Sequence, residues 1–222
     1  MRLRLIIAID GPAGAGKSTV ARRLAGRLGY RFLDTGALYR AVTFAALRAG
    51  LEPSDEEQVA ALARTADLRL VSEPDGLHVH LGGDDISTEI RGPDVTTAVS
   101  TVAALPSVRA AMIPFQRAFA EGGGVVAEGR DIGTVVFQDA DLKFYLDADP
   151  SVRAGRRALE CGEGDVARVH RQMAERDRDD SEREVSPLRA ADDAIRIDST
   201  DLSLEQVLEQ LLEAVEGKRK HG

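Results

Sequence analysis

Cysteine, asparagine and tryptophan are almost missing from this sequence. One of its 222 residues is a cysteine, Cys161, and none is asparagine or tryptophan. A single cysteine excludes an internal disulfide and a zinc site built from several cysteines, and it is typical of a reducing compartment. No stretch approaches the ~20 apolar residues of a transmembrane helix, and the first residues lack the cleavage pattern of a secretory signal. We therefore expect a cytoplasmic protein without a membrane as partner.

Basic side chains are also fewer than acidic ones. The chain carries 37 acidic and 29 basic side chains, which gives a formal net charge of −8. Nucleic acids and anionic membranes are bound through a positive surface field, so we expect neither as a partner. Small anionic substrates remain compatible, because they respond to local charge. The length and the hydrophobic share of 43% suit a single globular domain with a sizeable core.

A glycine-rich loop follows the first apolar run, where residues 10–19 read DGPAGAGKST. It fits the pattern G-x-x-x-x-G-K-[ST], in which backbone N–H groups and a helix N-terminus surround a di- or triphosphate. In that pattern the lysine reaches the outer phosphates and the hydroxyl contacts Mg²⁺. Lys17 is the only lysine among the first 142 residues, which indicates a need for a compact ammonium there. The loop predicts a nucleoside triphosphate site formed by Gly11, Gly14, Gly16, Lys17 and Ser18.

Short apolar runs alternate with helical patterns along most of the chain. We predict buried strands at 3–9, 124–128, 142–147 and 194–198, with a weaker strand at 30–34. We predict helices at 17–28 and 36–49, each ended by a glycine, and capping boxes that begin at Ser54 and Ser203. The alternation predicts a doubly wound α/β fold, with a parallel sheet, helices on both faces, and ligands at the carboxyl ends of the strands.

Residues 67–87 break this rhythm, because apolar and polar residues alternate there around PDG and GGDD turns. Such alternation is typical of antiparallel hairpins. We predict a small β lobe that lies off the main sheet, with either a structural or a substrate-closing role.

The phosphate loop leaves the reaction open. A guanine-specific switch protein needs an Asn/Thr-Lys-x-Asp motif, which the sequence lacks, and a large ATPase should have a clearer Walker-B strand than GVVAEGRD. A small-molecule kinase needs a second anion site and cations that neutralise the transferring phosphoryl group. Arginine-bearing segments suited to that task lie at 33–40, 128–134, 152–157 and 174–183.

Two of these segments place charges on one helical face. Arg153, Arg156 and Arg157 are spaced i, i+3 and i+4. In the last segment, Asp180 lies between two cations at i−4 and i+3. A self-contained salt-bridge face explains that second spacing equally well. Periodicity alone does not decide between these interpretations.

The motifs together carry a family resemblance. IDGPAGAGKST, LDTGALYRA, AEGRDIGTVVF, VRAGRR and RDRDDSER followed by SPLRAADDAIRIDST resemble the bacterial cytidylate kinases, from about residue 5 to residue 213. The resemblance implies a P-loop kinase that uses ATP and Mg²⁺ to phosphorylate CMP and dCMP, and we expect a monomer. It also implies one kinase domain over residues 1–222, with a nucleotide-monophosphate-binding insert at about 65–105 and a short helical lid at about 150–178.

The resemblance also implies roles for individual residues. The loop residues, together with Thr19, would hold the phosphates of ATP, Ser18 would also contact the metal, and the lid would add Arg153, Arg156 and Arg157. The CMP phosphate would be held by Thr35, Arg40 and Arg130. Cytosine would be read by Ser100, Arg109 and Asp131. Arg176 and Asp180 would face the acceptor ribose and Arg183 the phosphates. The cations that would act in catalysis are Lys17, Arg130, Arg156, Arg157 and Arg183.

Two positions depart from the resemblance. Thr35 stands where many relatives have serine, and Glu128 where many have aspartate. The first change keeps a hydroxyl group, whereas the second lies beside the site. The alternatives to a CMP kinase are a kinase for UMP, AMP or a hydroxyl acceptor, and a non-catalytic nucleotide-binding module.

Overall fold

A computed structural model describes residues 4–73 and 76–221, without the side chain of residue 221. The chain divides into two compact units, Met1–Tyr30 with Gly122–Gly222, and Arg31–Glu121. The insert predicted at 65–105 falls inside the second unit. Its bounds, like those of the predicted lid, stay predictions.

The strands and helices alternate in chain order. The described strands are β1 (Ile6–Asp10), β2 (Arg31–Asp34), β3 (Leu68–Glu73), β4 (Gly76–Leu81), β5 (Asp84–Asp85), β6 (Val125–Gly129), β7 (Leu142–Asp147) and β8 (Ile195–Asp198). The described α-helices are α1 (Lys17–Leu28), α2 (Thr35–Arg48), α3 (Glu56–Thr65), α4 (Pro93–Ala104), α5 (Pro106–Phe119), α6 (Pro150–Cys161), α7 (Val166–Glu182) and α8 (Leu204–His221).

The first unit is built on parallel strands in the order β6, β1, β7, β8. The apolar runs of β1 and β6 are buried, as expected for the inner strands of a parallel sheet covered by helices, whereas β8 buries only Ile197. The register places Asp10, at the end of β1, opposite Gly129 of β6 and Tyr145 of β7. The segments that follow β1 and β6 therefore leave the sheet at the same edge. This confirms the predicted parallel α/β fold.

Most predicted elements of the first unit are confirmed with small shifts at their ends. The first strand begins at Ile6, while part of its predicted range, residue 3, lies outside the described residues. Helix α1 matches its prediction and ends at Gly29, which has a left-handed backbone. The capping box at Ser203 is confirmed, since its N–H donates to Gln206 Oε1 at 2.9 Å and its Oγ accepts from the Gln206 N–H at 3.3 Å.

The second unit contains the predicted antiparallel lobe. Strands β3, β4 and β5 pair in that order, and Leu68 lies opposite Leu81. Part of the PDG turn, residues 74–75, lies outside the described residues. The predicted helix cap at Ser54 is wrong by one residue. Asp55 caps α3 by accepting from the Gln58 N–H at 3.1 Å, because its carboxylate is the stronger acceptor one position nearer the helix.

Helices α4 and α5 were not predicted, although both begin with a proline at the first helical position. The β-branched residues of α4 give it no clear helical signal in the sequence. Among the described residues, no single helix is both long and apolar enough to cross a membrane. The pair α4 and α5 passes that test only together, across a bend of 94°.

Candidate active site

The phosphate loop joins β1 to α1 and depends on glycine for its path. Gly11 has φ +147°, and a Cβ there would lie 2.0 Å from the backbone oxygen of Leu146. Gly16, with φ +89°, occupies the N-cap of α1, and no side-chain cap is described at that end of the helix. The first N–H groups of α1 therefore face the loop, in the arrangement that binds phosphate.

Lys17 lies buried under this loop. Its Nζ donates to the backbone oxygen of Pro12 at 2.7 Å. Burial and the charge of Arg130 lower the pKa of Lys17, Glu128 and Asp10 oppose them, and the resulting pKa is about 8. Like charges gathered in a buried site are relieved by a bound anion. The ammonium therefore suits a site whose ligand supplies the missing negative charge.

Ser18 and Glu128 form the pair that could hold a divalent metal. The Ser18 hydroxyl donates to Glu128 Oε1 at 2.6 Å, and Glu128 is buried at the end of β6. Magnesium prefers hard oxygen ligands and is usually held by one or two carboxylates together with substrate phosphates. The pair supplies such oxygens. No cluster of three or more His, Cys, Asp or Glu side chains suited to a metal occurs among the described residues.

Asp10 connects the phosphate loop to the segment after β6. Its two carboxylate oxygens accept from the N–H groups of Ile132 and Gly133, each at 2.7 Å. These residues open a π-helical turn, Ile132–Val136, directly after Asp131. Burial raises the pKa of Asp10 to about 6, although both backbone hydrogen bonds lower it. This contact was not predicted from the sequence, where its only signal is an acidic residue at the end of an apolar strand.

An ionic network lies beyond β6. Arg130 Nε donates to Asp180 Oδ2 at 2.7 Å, and Arg183 Nη1 lies 3.6 Å from Asp180 Oδ1. Arg183 Nη2 also lies 3.9 Å from Asp131 Oδ1. Asp180 is buried on α7 and is held by Arg130, which directly follows β6. It therefore does not belong to a solvated surface face, and the predicted residues 130, 131, 180 and 183 come together here.

The electrostatics of the network favour its charged state. Burial alone would raise the pKa of Asp180, but the charge and hydrogen bond of Arg130 outweigh it, with help from Arg176 and Arg183. The pKa of Asp180 accordingly lies below its ordinary value. The charge of Arg176 also acts on Lys17. The predicted Arg176 is therefore within electrostatic range of both Asp180 and the phosphate loop.

The three lid arginines on α6 have different surroundings. Arg153 is buried, and its donors are directed to backbone oxygens and to Asp177 of α7. Arg156 donates to Ser199 Oγ at 3.0 Å and to the Ser199 backbone oxygen at 2.7 Å. Arg157 pairs on the surface with Glu160 at 3.1 Å. The phosphate-binding roles predicted for them stay predictions.

A cavity of about 360 Å³ adjoins the loop in the same unit. Thr19 and Val20 of α1 line it, together with Arg156 and Leu159 of α6 and Val207 of α8. Leu159 is 85% exposed at the rim of this cavity. This cavity was not predicted from the sequence, because its walls come from segments far apart in the chain.

The remaining predicted residues lie in the second unit. Thr35 is buried in the first turn of α2, and Arg40 Nη1 donates to Thr96 Oγ1 of α4 at 2.9 Å. Arg109 is buried on α5, where its Nη1 donates to the Ala103 oxygen at 3.0 Å and its guanidinium lies 5.2 Å from the centre of the Tyr39 ring. The predicted Ser100 lies half-buried on α4.

The chain is similar to known kinases along nearly its whole length. The profile of the family described as cytidylate kinase matches residues 7–217. The cytidylate kinase of Geobacillus kaustophilus (strain HTA426) is 50% identical over 219 residues, which cover 97% of this chain and 98% of the relative. That of Mycobacterium avium (strain 104) is 47% identical over 220 residues, which cover 97% and 96%. A gluconokinase from Sinorhizobium meliloti 1021 shares the fold, with a TM-score of 0.52 at 14% identity over 100% of this chain and 97% of its own.

Proposed function

Because the chain belongs to the cytidylate kinase family, we propose that it phosphorylates CMP and dCMP by direct in-line transfer of the γ-phosphoryl group of ATP. The residues of the site support this proposal independently of the family match. The same unit holds a phosphate loop with a buried lysine and, beside it, a buried network of arginines suited to a second phosphate. A kinase needs both sites.

The phosphates of ATP lie in the loop, on the N–H groups of residues 14–19. Lys17 exchanges its bond to the Pro12 oxygen for the outer phosphates, because a phosphate is a stronger acceptor for an ammonium group than a neutral carbonyl. Thr19 and Arg156 lie at the adjoining cavity, which takes the adenosine part of ATP. Arg156 and Arg157 then supply positive charge to the transferring group.

Ser18 and Glu128 are the residues that would hold Mg²⁺. When bound, the ion neutralises charge on the β- and γ-phosphates. The Ser18 hydroxyl already points at the Glu128 carboxylate, so both oxygens are oriented before any ligand arrives.

The group that accepts the phosphoryl group is itself a phosphate, so the protein needs to supply little acid–base chemistry. The second pKa of a phosphate monoester is near ~6, so the attacking oxygen is ionised at neutral pH and needs no general base. Catalysis then consists of positioning and charge neutralisation. Arg130 and Arg183 supply the cations, and Asp180 fixes both of them.

The roles in CMP recognition that the family resemblance implies for individual residues are part of this proposal. In the first unit, Arg176 and Asp180 serve the ribose and Asp131 accepts from the cytosine amino group. In the second unit, Thr35 and Arg40 serve the phosphate, while Ser100 and Arg109 serve the base. Cytosine presents a donor at N4 beside an acceptor at N3, so a carboxylate paired with an arginine distinguishes it from uracil.

We propose a monomer in the cytoplasm, whose partners are its nucleotides and neither nucleic acid nor membrane. Sedimentation of the purified enzyme at micromolar concentration tests the oligomeric state. A concentration-dependent dimer would contradict it.

A coupled ADP-release assay with a panel of acceptors tests the function. We expect ADP release with CMP and dCMP, much less with UMP and AMP, and little ATP hydrolysis without an acceptor. Best turnover with a sugar or a hydroxy acid would assign a different kinase activity. ADP release independent of any acceptor would contradict phosphoryl transfer altogether.

A further inference from the structure

The tip of the phosphate loop is held by two helices that follow it by more than a hundred residues. The N–H of Ala13 donates to Asp177 Oδ1 of α7 at 3.3 Å, and its backbone oxygen accepts from Arg153 Nη1 of α6 at 3.0 Å. Arg153 and Asp177 also form an ion pair with each other. Both polar groups of one loop residue are thus bound by a mutually paired cation and anion.

The next loop residue is packed against the same helices. A Cβ on Gly14 would lie 2.8 Å from the Arg153 backbone oxygen and 2.8 Å from Met173 Cε of α7. Gly14 also has φ +71°, a conformation that glycine adopts without strain. The loop tip therefore has no freedom to shift towards α6 and α7, and its backbone direction is set by them.

Arg153 is oriented by further contacts that keep it on the loop. Its Nε donates to the Ala148 oxygen at 3.0 Å and lies 3.8 Å from Asp147 Oδ1. The side chain is only 9% exposed. Its guanidinium is thus fully occupied by protein groups around the loop tip.

Helix α7 carries two aspartates, about one turn apart, that each hold a different part of the site; we call them the first and the second anchor. Asp177 holds the phosphate loop, and Asp180, three residues later on the same face, holds Arg130. A loss of the first anchor alone leaves the second in place. Effects on ATP and on CMP are therefore separable.

We propose that Asp177 and Arg153 form a positioning pair that orients the phosphate loop for ATP, so that Arg153 acts through the loop backbone. The proposal rests on the proposed function only in taking ATP as the ligand of that loop. A misplacement of ~1 Å in such a site can cost ~10²-fold in rate. Because the Ala13 N–H is used by Asp177, the phosphates are left to the N–H groups that follow it.

The first test compares Asp177→Asn with Asp179→Asn, a matched change on the exposed side of the same helix. Asp177→Asn keeps the shape but turns one oxygen into a donor that faces Arg153. We expect the Kd of the non-hydrolysable analogue AMP-PNP, measured by calorimetry, to rise ~10-fold or more, and kcat to fall, with KM for CMP within about twofold. Asp179→Asn should match the wild type. Equal losses for AMP-PNP and CMP would overturn the proposal, because they would indicate a general loosening of α7.

The second test is a double-mutant cycle between Asp177→Asn and Arg153→Met. If the two residues act as one positioning pair, the double variant binds AMP-PNP no more weakly than the weaker single variant. If Arg153 instead contacts phosphate directly, the two losses multiply, and the proposal fails. Arg153→Lys keeps the charge and offers a version of the cycle should Arg153→Met not fold. AMP-PNP binding is measured without an acceptor, so its outcome is independent of whether CMP is the substrate.

Discussion

The phosphate loop and the arginine network handle anions in opposite ways. The loop offers backbone N–H groups and one lysine whose Nζ bonds to a neutral carbonyl, that of Pro12. The network offers arginines already paired with carboxylates, Arg130 with Asp180 at 2.7 Å. A lysine ammonium bonded to a neutral carbonyl readily exchanges that acceptor for a phosphate oxygen. Arginines already paired with carboxylates are held in place and keep their geometry when a ligand binds. One site therefore supplies a charge that changes its partner when a ligand binds, and the other supplies charges whose orientation is already fixed.

Lys17→Ala tests the loop side and should have the largest effect. We expect kcat/KM for ATP to fall ~10³-fold, at the upper end of losses seen when one stabilising donor is removed. The unfolding free energy should stay the same or rise, because a buried cation is removed. A coupled assay and urea unfolding measure the two quantities, with the exposed Lys220→Ala as control. Activity within a few-fold of wild type would refute the phosphate-loop assignment.

Arg156→Ala asks whether the lid supplies charge to the reaction or only binds ATP. A cation that acts on the transition state can be worth ~10³-fold or more in rate. We expect kcat to fall further than KM for ATP rises, with Arg157→Ala measured in parallel. A change in KM alone would make both arginines ground-state ligands.

Asp180→Asn removes the charge that fixes the arginine network. We expect kcat/KM for CMP to fall ~10²-fold because Arg130 and Arg183 lose their common partner, while KM for ATP changes less than about twofold. Steady-state kinetics with each substrate varied in turn measure this, and Asp179→Asn is the matched control. Equal losses for ATP and CMP would break the distinction between the two sites.

Asp10→Asn tests the contact of Asp10 with the N–H groups of Ile132 and Gly133 through its effect on the unfolding free energy. The folded-state pKa of Asp10 is raised from 3.8 to about 6, so the folded protein keeps a proton that the unfolded chain releases. The unfolding free energy therefore falls as pH rises from about 4 to about 6, by roughly 2 kcal/mol. The Asn variant, which does not titrate, should lack this part of the pH dependence. Parallel curves for wild type and variant in urea unfolding would contradict the shifted pKa.

Asp131→Asn tests whether Asp131 recognises the cytosine base, and we expect its effect on kinetics to be the smallest of these variants. The amide adds a donor that the O4 of uracil can use, so the CMP to UMP ratio of kcat/KM should narrow by about tenfold. Kinetics with both nucleotides measure the ratio. Proportional losses for both would make Asp131 a structural partner of Arg183 and move cytosine recognition elsewhere.

The features predicted best from the sequence are those formed by residues that are neighbours in the chain. The loop at 10–19, helix α1 and the parallel strands follow from local patterns, because glycine spacing and apolar runs act within a few residues. The sequence could not resolve whether Asp180 faced solvent or a partner. That partner, Arg130, lies 50 positions away in the chain.

What the sequence could not show depends on contacts between distant segments. The Glu128 partner of Ser18, the Asp10 contacts with Ile132 and Gly133, and the Ser199 partner of Arg156 are all of this kind. Helices α4 and α5 were missed for a different reason, since the β-branched residues of α4 obscure a helix that packing stabilises.

The most direct test of the account follows a label from ATP to its acceptor. The enzyme is given ATP labelled in the γ-phosphate with equal amounts of CMP and UMP, and the products are separated by chromatography. The account predicts that the label appears in the β-phosphate of CDP, with little in UDP or free phosphate, and that Lys17→Ala slows the transfer ~10³-fold. Label found mainly in free phosphate, on the protein or in UDP would contradict a CMP kinase that works by direct transfer.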